Sequence, residues 1–307
     1  MKKPVIALAL GGGGARGFGH LGILEGLEKL NIRPQIITGT SMGALMGALY
    51  TRYQNSKIVK QVFDDLIKSP EFDKLGFKNM SIVDANSGFW DQVTNSIQNR
   101  VVMNIAQSRK GIIPNVKLHH FLENVLTENV WSKDGVRFAT TATDIIAGED
   151  VYFTDGSLLD AVEASMSIPG FVPPIPRGDQ LLVDGGVSQI VPISLAKFMG
   201  ADFVIAVDVA QTVNPVAQLD NATQIVAQSE GITAFLYRER LLKEADFVFT
   251  IDIPGSHWSE FHRSEEFIHA GTEVFNRQAE NLEKIIKTLH TPMWKQKLKQ
   301  MINLKKN

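Results

Sequence analysis

Val5-Ile6-Ala7-Leu8-Ala9-Leu10 runs without a break into Gly11-Gly12-Gly13-Gly14, and Leu21, Leu24, Leu27 and Leu30 follow at near-helical spacing. A short, wholly apolar run that ends in glycines and hands over to an amphipathic helix reads as a strand buried on both faces with a covering helix. The unit then repeats. Pro34 closes the first helix, Ile36-Ile37-Thr38 gives a second apolar strand, and Gly39-Thr40-Ser41-Met42-Gly43 turns the chain into a helix carrying Ala44, Leu45, Ala48 and Leu49. Strand, helix, strand, helix with no polar alternation in the strands predicts an α/β fold. The expected form is a three-layer sandwich, with a central, mostly parallel sheet covered by helices on both faces.

Further along, Val136-Arg137-Phe138-Ala139-Thr140-Thr141-Ala142 and Val151-Tyr152-Phe153 read as strands, as do the stretches Gln180 to Val183, Phe203 to Val209 and Phe247 to Ile253. Helices are expected over about 158–165, 221–245 and 265–290. Residues 53–115 are less regular: Val93, Ile97, Val101 and Ile105 suggest a helix, while Phe72, Phe77, Phe89 and Trp90 follow no period. This stretch is expected to be a lid-like insertion beside the sheet, either an apolar pocket wall or an ordinary packed subdomain. Neither an internal repeat nor a linker divides the chain, so a single domain over 1–290 is expected, followed by a tail over 291–307. The tail interleaves Met293, Trp294, Leu298, Met301, Ile302 and Leu304 with five lysines and no acid. Such a basic amphipathic segment either lies on an anionic membrane surface or packs on the body with its lysines in water.

Composition narrows the chemistry. The 307 residues are 44% hydrophobic and 21% charged, which suits a globular chain and excludes a disordered one. Basic and acidic residues nearly balance, for a net charge of −2, so a nucleic-acid partner is not expected. The absence of cysteine excludes disulfides, iron–sulfur clusters, cysteine-ligated zinc and a thiol nucleophile. Neither zinc nor EF-hand spacing is present, and no metal or cofactor is expected. No apolar run reaches the ~18 residues of a membrane helix. The N-terminal apolar run, Val5 to Leu10, is shorter than the about 7–15 residues of a secretory core. The chain is therefore expected to begin near Met1 and to be cytoplasmic, at most peripheral at a membrane.

Three motifs can carry chemistry. Gly39-Thr40-Ser41-Met42-Gly43 has the Gly-x-Ser-x-Gly form of a nucleophile elbow, lying between an apolar strand and a small-residue helix. Gly12-Gly13-Gly14-Ala15-Arg16-Gly17 matches a dinucleotide fingerprint, but the acid that would hold the ribose is missing after the second strand, where the elbow begins. The same glycine run can instead offer backbone N–H groups to an oxyanion beside Ser41. Arg16 either buttresses that loop, meets an anionic group, or makes a surface salt bridge. Asp184-Gly185-Gly186 follows the apolar strand end Leu181-Leu182-Val183, where an aspartate at a carboxyl strand end faces the ligand crevice. His257, His262 and His269 follow Asp184 and satisfy the order of a serine–acid–histidine triad. None sits in a glycine-flanked loop after a strand, and His20 reads as a packing or capping residue.

These motifs, with Ala164-Ser165-Met166-Ser167-Ile168-Pro169, resemble in order and spacing the motif set of the patatin-like phospholipases across about residues 5–210. The resemblance implies hydrolysis of acyl ester bonds in phospholipids or lysophospholipids by a serine–aspartate dyad without histidine. Carried over by position, Ser41 is the nucleophile and Asp184 its base. The backbone of Gly12, Gly13, Gly14 and Ala15 forms the oxyanion hole, supported by Arg16, Gly17, Gly39, Gly43, Gly185 and Gly186. Asp-Gly-Gly stands where many relatives have Asp-Gly-Ala, a change between small residues. The alternative is a histidine-assisted esterase or acyltransferase of the α/β-hydrolase type. Because an ordinary aspartate titrates near 3.9, the dyad predicts an acid limb of kcat/KM below pH 6.

Overall fold

In the computed structural model, residues 3–76, 110–210, 219 and 222–289 are described. The irregular-looking helix positions Val93 to Ile105 and the tail 291–307 lie outside them. Among the described residues, strands β1 (Ile6–Leu10), β2 (Ile36–Gly39), β4 (Val136–Asp144), β7 (Gln180–Asp184), β8 (Phe203–Asp208) and β9 (Phe247–Thr250) form the sheet. Hydrogen-bonded neighbours follow the path β6-β7-β4-β2-β1-β8-β9, which begins at β6 (Ile175–Arg177), and the short β3 (Ser132–Lys133) and β5 (Glu149–Phe153) also pair with β4. The five strands β4-β2-β1-β8-β9 are mutually parallel. β5, β6 and β7 run antiparallel to their partners, which makes the sheet mixed at that end.

Every residue of β1 and β8 is buried, so both faces of the sheet centre are covered. Continuous Ala, Leu, Ile and Val in these strands follow from that double coverage, since neither face meets water. The covering helices are α1 (Gly19–Lys29), α2 (Met42–Tyr53), α3 (Ser56–Leu66), α4 (Pro70–Leu75), α5 (Asn115–Val125), α6 (Leu158–Ser165), α7 (Ile193–Phe198), α8 (Ala222–Leu242) and α9 (Ser264–Leu289). A 3-10 turn over Gly14–Phe18 leads into α1.

Part of the stretch that reads as irregular is regular. Asn55 caps α3, its side chain accepting from the N–H groups of Lys57 and Ile58, and the helix buries Val59, Phe63 and Leu66. Ser69 caps α4, with Pro70 in its first turn. Both are ordinary helix starts, in which a short polar side chain satisfies amides that have no carbonyl one turn back.

One feature of the topology places the site. Along β4, β2 pairs with residues 137–140 and β7 with residues 142–144, while β5 occupies the other edge from 140 to 144. β2 and β7 therefore share one edge of β4, end to end and running toward each other. Gly39 stands opposite Thr140, and Asp184 opposite Ala142. Two residues along a strand is roughly 7 Å. The chain leaving β2 and the chain leaving β7 meet in that gap.

Candidate active site

Ser41 enters the gap from the β2 side, two residues beyond Gly39. It caps α2 with φ 54 and ψ −122, a left-handed conformation that a residue with a side chain adopts only when its surroundings enforce it. The flanking glycines allow this tight turn. A Cβ on Gly39 would stand 2.3 Å from the carbonyl oxygen of Gly43, and one on Gly43 would stand 2.1 Å from that of Leu10. Thr40 anchors the turn, donating its hydroxyl to the Gln189 carbonyl at 2.8 Å and its amide to Leu10 at 3.1 Å. The Ser41 amide donates to Ser165 Oγ at 3.0 Å.

Asp184 enters from the β7 side and is fully buried. Its Oδ1 accepts the Gly186 amide at 2.7 Å, and its own amide donates to the Ser167 carbonyl at 2.9 Å. Burial pushes the carboxyl up to about 7, against the opposing pull of the Ser41 hydroxyl and the Gly186 amide. Oδ2 is buried and makes no regular hydrogen bond, so the hydroxyl of Ser41 acts on the carboxylate without closing a conventional bond to that oxygen. From sequence, Asp184 is expected at the crevice as the carboxyl end of a parallel strand. The structure brings it to the same crevice by another route, because β7 is antiparallel and its end faces the end of β2.

The glycine loop packs directly on the serine, and a Cβ on Gly12 would lie 3.2 Å from that of Ser41. Its amides divide into two kinds. Gly12 donates to Ile190 at 2.8 Å and Ala15 to Trp258 at 2.7 Å, which removes both from the set of oxyanion donors expected from sequence. Among the described residues, the amides of Gly13 and Gly14 make no such bond, nor does that of Met42 at the start of α2. Gly13, Gly14 and Met42 therefore keep unbonded amides in the two turns that meet at Ser41, and Met42 was not among the residues expected. Gly14 has φ +59, and a Cβ there would stand 2.4 Å from the Trp258 carbonyl oxygen. Gly17 lies against Met42 and Gly185 against Thr141, each within 3 Å of where a side chain would begin.

Arg16 is buried, which excludes a surface salt bridge. Its Nε donates to the Gly13 carbonyl at 3.3 Å, and it shares the interior with Asp208 and Arg238. Burial lowers its pKa to about 10, so it remains a cation. His20 Nε2 lies 2.8 Å from the Gly11 carbonyl and supports the loop from below. That contact requires a proton on Nε2, and burial, which lowers the pKa to about 4, keeps the ring neutral. His257 is likewise buried, bonded through Nδ1 to Ser259 at 2.8 Å and lowered to about 4 by burial and by Arg16. The groups acting on Asp184 are Ser41 and Gly186, and no histidine is among them.

Ser41, Gly14 and Met42 open onto a cavity whose other walls are apolar. Phe72 and Leu75 come from α4, Leu118 and Phe121 from α5, and Phe171 and Trp258 cross edge to face at 5.0 Å. Val172 also lines it. His119, Asp160 and Glu163 each offer a donor atom within 4.8 Å of the others, the only such set among the described residues. His119 and Glu163 are already paired at 2.6 Å, joining α5 to α6. No helix among the described residues is long and apolar enough to cross a membrane.

The family model described as patatin-like phospholipase matches residues 8–197. The mouse patatin-like phospholipase domain-containing protein 6 is 32% identical over 206 residues, which is 66% of this chain and 13% of that protein. The rat patatin-like phospholipase domain-containing protein 7 is 34% identical over 210 residues, again 66% and 13%. The Drosophila melanogaster protein named neuropathy target esterase sws is 32% identical over 207 residues, with the same coverage. The chain thus spans about 13% of the length of the curated relatives it matches. Among solved structures, VipD from Legionella pneumophila aligns with TM-score 0.49 at 14% identity, covering 92% of this chain and 67% of its own.

Proposed function

Because the chain belongs to the patatin-like phospholipase family, we propose that it is a lipid acyl hydrolase in which Ser41 attacks an acyl ester and Asp184 serves as the base. The observation that carries this reading is geometric: the chain leaving β2 at Ser41 and the chain leaving β7 at Asp184 meet in one gap on β4, where the Asp184 carboxylate is buried with Oδ2 unbonded. As the Ser41 oxygen bonds to the carbonyl carbon, its proton passes to Asp184. The carbonyl oxygen becomes an oxyanion facing the free amides of Gly13 and Gly14, with Met42 as a further donor at the helix start. Losing one such donor typically costs on the order of 10²–10³ in rate. Collapse breaks the ester C–O bond, and Asp184 returns the proton to the leaving alcohol. Water then repeats the cycle on the acyl-serine, with Asp184 again as base, and releases the fatty acid.

The apolar cavity beside Ser41 supports a fatty acyl chain as the group transferred. The proposed substrate class is a phospholipid or lysophospholipid. No observation favours histidine assistance over the dyad, since His257 is held by Ser259 and shifted away from physiological titration.

Fluorophosphonate labelling of wild type, Ser41→Ala and Asp184→Ala, followed by assay on a phospholipid and lysophospholipid panel, tests the proposal. Labelling is expected only where Ser41 is present, with turnover abolished in both variants and retained in folded His257→Ala and His262→Ala. Turnover by Ser41→Ala would refute it.

A further inference from the structure

The two groups of the dyad reach the gap on β4 from opposite directions, and no short stretch of chain joins them. One segment touches both. Ser165, the last residue of α6, is fully buried and accepts the Ser41 amide on its Oγ at 3.0 Å. Two residues later the main-chain carbonyl of Ser167 accepts the Asp184 amide at 2.9 Å. The Ser167 hydroxyl turns back to the Glu163 carbonyl at 2.8 Å and so ties this short bridge to the end of its own helix. Two neighbouring serines, both buried, thus do different work. Ser165 holds the nucleophile through its side chain, whereas Ser167 holds the base through its main chain.

We infer that Ser165 is a positioning residue, and that residues 165–167 form a brace setting the separation of the Ser41 hydroxyl from the Asp184 carboxylate. The inference rests on the dyad proposed above. Its physical basis is the state of the Ser41 amide. At a helix N-terminus that amide has no carbonyl one turn back to receive it, and at 3% exposure the residue has little water to turn to. Ser165 Oγ is its acceptor. The same bond restrains φ 54 and ψ −122 at Ser41, a conformation that relaxes readily once its restraints go. Relaxation would swing the hydroxyl relative to a carboxylate that remains fixed by Ser167 and Gly186. Displacement on the order of 1 Å is enough to cost about 10²-fold in rate.

The experiment compares Ser165→Ala with Ser167→Ala and with Ser165→Cys, assayed by steady-state kinetics and by the rate of fluorophosphonate inactivation. The chain has no cysteine, so the introduced thiol has no disulfide partner. For Ser165→Ala, kcat and the inactivation rate are expected to fall about 10- to 100-fold with KM within about twofold, because the acyl-binding walls are untouched. The acid limb of its pH profile is expected to move upward, since the Ser41 hydroxyl is one of the groups that lowers the Asp184 pKa. Ser165→Cys keeps a weaker acceptor and should fall between wild type and alanine. Ser167→Ala, which keeps its carbonyl, should lose less kcat than either. Wild-type kcat in Ser165→Ala, or equal losses in both alanine variants, would overturn the brace. If Ser165→Ala does not fold, wild-type kcat in Ser165→Cys overturns it instead. Turnover by Ser41→Ala signals failure of the dyad itself, whereas an inactive Ser41→Ala beside a fully active Ser165→Ala removes the brace alone.

Discussion

At the residue scale the governing fact is the burial of one carboxylate. An aspartate in water titrates near 3.8, and the fold carries Asp184 up to about 7 by removing it from solvent. The base form therefore accumulates only near neutrality. The acid limb of kcat/KM is expected near pH 7, not below pH 6 as the free side chain would suggest, and a pH–rate profile checks this. The His257→Ala and His262→Ala variants, which should keep the same limb, identify the aspartate as its source. The same shift has a stability consequence. Between pH 3.8 and about 7 the folded state binds more protons at Asp184 than the unfolded state does, so stability falls as pH rises through that window. Asp184→Asn, which cannot ionise, is expected to melt several degrees above wild type at pH 8, with the difference vanishing near pH 4. Equal melting temperatures at pH 8 would contradict the burial argument. Ser41 and Asp184 were legible in the sequence because each sits in a short local motif. The acid limb, and the commitment of the Gly12 and Ala15 amides, were not legible. Burial and the partners Ile190 and Trp258 come from distant chain.

At the scale of elements, the strands read correctly wherever both faces are buried, as in β1, β2 and β8. The direction of β7 did not read, because an apolar strand looks the same whichever way it runs. Helices α3 and α4 lay within a stretch that seemed aperiodic, although Asn55 before α3 and Ser69-Pro70 at α4 were start signals in plain sight. The short helix α5 also went unread, yet it forms part of the cavity wall through Leu118 and Phe121. Enlarging a wall residue should shorten the space for an acyl chain without touching the dyad. Leu118→Trp is expected to lower kcat/KM for long-chain esters about tenfold or more relative to butyrate esters, a ratio measured on one enzyme preparation. Equal loss on both substrates would separate α5 from chain-length selection. His119 and Glu163 pin this wall to α6, the helix whose last residue holds the Ser41 amide.

At the scale of the molecule, a lipid hydrolase must bring a hydrophobic crevice to its substrate. The five lysines of residues 291–307 are the strongest sequence feature bearing on that step. We propose that this tail contacts anionic membrane. Truncation after Pro292 is expected to weaken binding to anionic vesicles at least several-fold while leaving hydrolysis of a soluble short-chain ester intact. Undiminished vesicle binding by the truncated protein would dismiss the contact.

The end-to-end arrangement of β2 and β7 on one edge of β4 carries a last implication. Along a strand, adjacent side chains point to opposite faces, so the distance from β7 to the elbow cannot be adjusted by single-residue steps. Deleting one residue inside Gln180–Asp184 would turn the carboxylate to the far side of the sheet, whereas lengthening the loop after Ser167 would leave it in place. Natural or engineered changes of length should therefore gather between Ser167 and β7, where Phe171 and Val172 line the cavity. Substrate choice can drift there while the count of residues in the strand stays fixed.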